Sequence, residues 1–121
     1  MFGFEDWDIY KAALELREIA EQLYEYRQPG TAGDLDQFKR GSSSVVLNLA
    51  EGYGHRQKGK KLQHYRAVLA SAHECYAALE ILQRTMKHRR ARPLIERGLE
   101  LSNRIAAMAT NLIRKIEGRD P

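Results

Sequence analysis

The chain has 121 residues, with 20 Lys and Arg against 16 Asp and Glu, so its formal net charge is +4. This length and a composition of 43% hydrophobic and 30% charged residues describe one globular domain, and a single cysteine excludes an internal disulfide and a cysteine-rich zinc site. No apolar run approaches the ~20 residues of a membrane span, and the acidic start MFGFEDWDIY is unlike a signal peptide, so a cytoplasmic protein with no membrane partner is expected.

Apolar residues recur at steps of three and four from the start of the chain, and the first helix is expected over about 5–26. Its rows, Trp7/Tyr10/Leu14 and Ile9/Ala13/Leu16/Ala20/Leu23, cover more than half of its circumference. A bundle helix needs an apolar stripe of only ~100° or somewhat more. The surplus, with Ile9 and Ile19, predicts a second contact, most simply with another subunit. The segment QPGTAGD then breaks the chain, and Asp34 or Thr31 caps the second helix.

The second helix is expected over about 34–52, with a core row Leu35, Phe38, Ser42, Val45, Val46, Leu49 and Tyr53. Nearly opposite lie Arg40, Ser44, Leu47 and Glu51, with Asn48 beside them. Gly52 and Gly54 close this helix. The third helix, over about 58–88, has the core row Leu62, Tyr65, Val68, Leu69, Ala72, Tyr76, Leu79, Leu82 and Met86. Pro93 marks the first turn of a strongly amphipathic fourth helix, over about 93–117, which Gly118 ends before a short tail. Four helices with short links, no strand pattern and no repeat give an all-α, up-down-up-down four-helix bundle.

The stretch from Asn48 to Gly54, NLAEGYG, is preceded by Ser44 and Arg40 and followed by Arg56. It resembles the motif of the four-helix bundle family encoded by intervening sequences of bacterial 23S ribosomal RNA genes. The resemblance extends over most of the chain, and Ser71 and Glu74 match small and acidic positions of the family's third helix. One departure is Val46, where the family often has proline, which puts any kink of the second helix in doubt. The resemblance implies a four-helix bundle that assembles as a homopentamer. It also implies kinship with accessory proteins of diversity-generating retroelements, basic pentamers thought to bind nucleic acid and reverse transcriptase. On this footing Arg40, Ser44, Asn48, Glu51, Gly52, Ser71 and Glu74 are read as structural, a polar network between helices or subunits.

No catalytic chemistry stands out. The Glu-x-x-His pairs of a di-metal bundle are missing, and the four histidines (His55, His64, His73, His88) fall at or near the ends or edges of the third helix, so no metal or cofactor is expected. Cys75 reads as a small buried hydrophobe. Arg66 and His73 share a face seven residues apart, a spacing that some metal-independent helical ribonucleases use, but Ala67 stands where their polar residue is expected.

The charge, by contrast, is segregated. Arg56, Lys58, Lys60, Lys61 and Arg66 cluster at the link between the second and third helices, and Arg89, Arg90 and Arg92, with Arg84 and Lys87, at the next link. Cations near a helix C-terminus are favoured by its dipole, which accounts for the second run without a ligand; a helix start disfavours them. The first run is therefore the stronger candidate for phosphate contacts. The leading reading is a non-enzymatic oligomer that binds nucleic acid, RNA rather than DNA, through basic helix ends. A protein-binding or structural oligomer is the alternative, and an Arg66/His73 ribonuclease the third.

Overall fold

The computed structural model describes residues 3–118; the tail read from the sequence at 119–121 lies outside them. A 3-10 turn over Phe4–Asp6 leads into helix α1 (Asp8–Leu23), which a second 3-10 turn (Tyr24–Tyr26) closes. Helices α2 (Ala32–Gly54), α3 (Lys58–Thr85) and α4 (Ala91–Ile116) follow. Each helix packs on its neighbours in sequence, and α1 also packs on α4, so the four close into a ring around one core. The core holds Leu16 and Leu23 of α1, Leu35, Phe38, Val45 and Leu49 of α2, Tyr65, Val68 and Leu79 of α3, and Leu101 and Ile105 of α4. This is the all-α, up-down-up-down bundle that the periodicity predicts, and no strand occurs among the described residues.

Helix α2 begins two residues earlier than expected, at Ala32. Thr31 precedes it, and its hydroxyl does not reach into the helix. It donates to the Gln28 carbonyl (2.8 Å) and accepts from the Gln28 N–H (3.1 Å), which folds the link back on itself. Asp34 sits in the first turn, where its charge suits the helix dipole. Helix α3 ends at Thr85, three residues short of expectation, and buried Met86 follows in extended conformation.

Two expectations about packing are corrected. Ile9 and Ile19 are only 6% and 3% exposed, so α1 has no wide apolar surplus. Its first turn is covered by the N-terminal 3-10 segment, where Phe4 packs edge-on against Tyr10 at 4.9 Å. Of the α1 rows, only Leu14 is an exposed large hydrophobe. Tyr53, expected in the core, is 37% exposed. It lies in the last turn of α2, beyond the helix crossing, and its ring stands edge-on to Phe4 (5.5 Å) and Trp7 (5.2 Å).

Helices α2 and α3 make the most extensive contact. Gly52 does not close α2, which runs on to Gly54. Instead it is buried against Tyr65, and a methyl group there would overlap the ring at Cε1. Nearly three turns further along α3, a methyl group on Gly41 of α2 would stand 2.9 Å from the Cys75 sulfur. Small residues at both positions let the two backbones come together.

Gly52→Ala is expected to destabilise the fold by about 1–3 kcal/mol through overpacking, read as a melting temperature several degrees lower. Burial pushes the Tyr65 hydroxyl up to about 12 from an ordinary 10.0, and burial, with the nearby Glu74 charge second, pushes the Cys75 thiol up to about 12 from 9.0. Both groups are neutral at pH 7 in either state, so neither contributes there. As pH rises past 9 and then 10, the unfolded chain releases protons that the native chain keeps, and stability falls. The alkaline loss in melting temperature is therefore expected to shrink in Tyr65→Phe, and Cys75 to resist thiol reagents at pH 8 until the protein is unfolded.

Candidate functional site

The up-down order places the starts of α1 and α3 and the ends of α2 and α4 at one end of the bundle. At this end Arg56, Lys58 and Lys60 are exposed and make no ion pair among the described residues. Their neighbours in the same run are engaged. Lys61 reaches back along the turn and donates to the carbonyls of Gly52 (2.9 Å) and Tyr53 (3.1 Å). Its charge thus sits at the negative end of the α2 dipole, which gives this lysine a local reason for its place. Arg66, further along α3, is paired with Glu117 at the end of α4 (2.7 Å).

The opposite end carries the second basic run. Arg89, Arg90 and Arg92 are exposed. The link is held by local bonds: the Ala91 N–H donates to the His88 carbonyl (3.1 Å) and the Arg90 N–H to His88 Nδ1 (3.1 Å). The His88 ring rests on Tyr26 at 4.5 Å. A cleft of about 370 Å³ opens here, lined by Met86, Lys87, His88, Arg92 and Glu96 among others.

The motif residues of α2 do not form a single outward face. Ser44 and Asn48 are half-buried and turn toward α3, whereas Arg40 and Glu51 are exposed. Ser71 Oγ donates to Ser44 Oγ (2.9 Å), and Asn48 Nδ2 donates to the Ser44 carbonyl (2.9 Å) and to Ser44 Oγ (3.1 Å). Gln37 Nε2 donates to Glu74 Oε2 (3.0 Å) across the same boundary. A cleft of about 370 Å³ is lined by Gln37, Arg40, Gly41, Ser44, Ser71 and Glu74, which gathers four of the motif positions. Arg40 itself pairs with Asp36 one turn back (3.2 Å), with both side chains largely exposed. A second groove, of about 470 Å³, runs along the outer side of α2 past Arg40, Leu47, Asn48 and Glu51. Leu47, 61% exposed, is the most exposed of the large hydrophobic residues.

The sequence analysis missed His64. It faces Asn48 across the helix pair, with Nδ1 2.9 Å from Asn48 Oδ1, and its Nε2 lies 3.5 Å from Glu51 Oε2. The His55 ring stacks on it at 5.0 Å, the planes inclined by 10°. Glu51, His55 and His64 thus present ligand atoms within 4.8 Å of one another, although no metal site was expected. The available signal was Glu51 and His55 at i, i+4 across the end of α2, a different spacing from the Glu-x-x-His pattern of di-metal bundles. Arg66 and His73, by contrast, are both exposed, and neither lines a described cleft with the other.

No helix among the described residues is long and apolar enough to cross a membrane. No curated protein matches the chain, and no solved structure matches it. The model of the 23S rRNA-intervening sequence protein family matches residues 5–111. That span takes in all of α1, α2 and α3, most of α4 and every motif residue read above, and the chain belongs to this family.

Proposed function

We propose that the protein is a non-enzymatic oligomer of the cytoplasm that binds nucleic acid, RNA in preference to DNA, through the basic ends of its bundle. The observation that carries this reading is the exposed trio Arg56, in the link, and Lys58 and Lys60, in the first turn of α3, which make no ion pair among the described residues. Lys58 and Lys60 oppose the dipole of α3, at about 0.3–1 kcal/mol each, so folding gives no reason to place them there. An external polyanion does. The guanidinium groups of Arg89, Arg90 and Arg92 supply a second patch at the far end. Such contacts read the phosphate backbone and are sequence-independent. In a ring of subunits each patch would be repeated, and avidity would follow without new contacts.

The assembly surface in this reading is the outer side of α2. Leu47 stands exposed in a groove between Arg40 and Glu51, an apolar centre with a charged rim, which is the composition of a protein interface. The homopentamer implied by family resemblance, and the kinship with retroelement accessory proteins, belong to the same proposal.

Labelled RNA titrated at increasing salt tests the first half. Affinity should fall steeply as salt rises, and should fall by at least tenfold at fixed salt in Arg56→Ala/Lys58→Ala/Lys60→Ala, with melting unchanged. Lys61 is left intact in that variant because it caps α2. An intact oligomer that binds no RNA or DNA at low salt would favour a protein scaffold instead. Absolute mass tests the second half. Leu47→Asp and Arg40→Ala are expected to lower the mass of the assembly while each chain stays helical; loss of RNA binding in Arg40→Ala at unchanged mass and melting would assign that residue to the ligand.

A further inference from the structure

We propose that Glu51, His55 and His64 form a binding site for a divalent transition-metal ion of the zinc class at the turn between α2 and α3. A chain of hydrogen bonds from Ser44 through Asn48 leads to His64. The Ser44 carbonyl can only accept, so the Asn48 amide must turn its nitrogen toward it, as the 2.9 Å contact requires. That fixes Asn48 Oδ1 toward His64, 2.9 Å from Nδ1. This oxygen too can only accept, so Nδ1 carries the proton. Neutral His64 then keeps its lone pair on Nε2, the nitrogen that faces Glu51. A ligating histidine whose other ring nitrogen donates to a carbonyl oxygen is the usual arrangement around protein-bound metals, because the outer bond fixes both tautomer and ring orientation.

The spacing fits as well. In a tetrahedral zinc site with bonds of ~2.0–2.1 Å, neighbouring ligand atoms stand ~3.4 Å apart. His64 Nε2 and Glu51 Oε2 are 3.5 Å apart. Two of the three ligands are therefore already near their bound separation, one from each helix. His55 completes the set by a rotation. Its ring now lies nearly parallel to that of His64, and lone pairs in parallel planes do not meet at one ion. It follows the last turn of α2 in extended backbone, and its side chain has no hydrogen-bond partner among the described residues, so turning it about χ1 and χ2 breaks no contact of that kind. Water takes the fourth position. Two imidazoles and one carboxylate select zinc, cobalt, nickel or copper over magnesium and calcium, which prefer all-oxygen sites. Arg56, Lys58 and Lys60 lie close in sequence and make the surroundings cationic, but Glu51 supplies a charge of opposite sign within the site.

The test uses tag-free, chelator-treated full-length protein, with Zn²⁺ followed by calorimetry and Co²⁺ by its visible absorption. One ion per chain at micromolar concentration, with the intense bands of tetrahedral Co²⁺ and no uptake of Mg²⁺, is expected. His55→Ala, a turn substitution with little bearing on the fold, and His64→Gln should each abolish the Co²⁺ bands. His73→Ala and His88→Ala should leave them unchanged. Asn48→Ala should weaken zinc binding by roughly 10- to 100-fold, as loss of such an outer bond does, with helicity checked by circular dichroism. Absence of zinc binding, or binding that survives in the His55→Ala/His64→Gln double variant, would overturn the proposal.

Discussion

The two helices that carry the motif approach until a side chain of one lies against the backbone of the other. Tyr65 of α3 covers Gly52 of α2 so closely that a methyl group would overlap its ring. This contact sets the separation of α2 and α3 at one end, and Gly41 against Cys75 sets it further in. At such a distance short polar side chains can bridge the pair directly. Ser71 reaches Ser44 at 2.9 Å, and His64 reaches Asn48 at 2.9 Å. Wider packing, with alanine or leucine in place of these glycines, would leave the same hydroxyl and amide groups half-buried without partners, at a cost of about 1–3 kcal/mol for each one buried and unsatisfied. The small residues and the polar row are therefore one device. The glycines bring the backbones together, and the serines and Asn48 are the groups that fit between them.

The same closeness decides which charges are left over. The link between α2 and α3 spans only residues 55–57, so the C-terminal carbonyls of α2 stand beside the first turn of α3. Lys61 answers them with two bonds. Its neighbours Lys58 and Lys60 have no such carbonyl to meet, and they stand where the dipole of their own helix opposes them. One basic run thus divides into a residue that holds the fold together and residues whose charge the fold does not use. At the far end the division is different. Arg84 donates to the Glu80 carbonyl (3.2 Å) in the last turn of α3, where a cation is favoured, while Arg89, Arg90 and Arg92 project from the link and from the start of α4.

Much of the fold was legible because a bundle is written in one period. The rows of apolar residues at steps of three and four gave four helices to within a few residues, and Leu35, Phe38, Ser42, Val45 and Leu49 of the row expected of α2 are buried, while Val46 is half-buried and Tyr53 exposed. What could not be read was whatever depends on two elements at once. Ile9 and Ile19 looked surplus on an isolated helical wheel, yet both are buried in the one core of the folded bundle. Gly52 looked like a helix terminator because it stands near the end of α2, and only the position of Tyr65 shows it to be a contact point. His64 looked like an edge residue of α3. Its nearness to Asn48 and Glu51 follows from the register between helices, which periodicity within one helix does not contain.

That register gives the α2 motif two sides with different work. Ser44 and Asn48 bond toward α3, where Asn48 meets the ring of His64, and they also line the groove along which the exposed Arg40, Leu47 and Glu51 stand. Glu51 belongs to both, since its carboxylate borders the groove and also lies 3.5 Å from His64 Nε2. An ion held between His64 and Glu51 would therefore engage a carboxylate that also lines the outer groove. The link that carries Arg56 begins at His55, whose ring stacks on His64, and leads into Lys58. The outer face of α2, through Glu51, and the basic end of the bundle thus adjoin one short segment, residues 55–57.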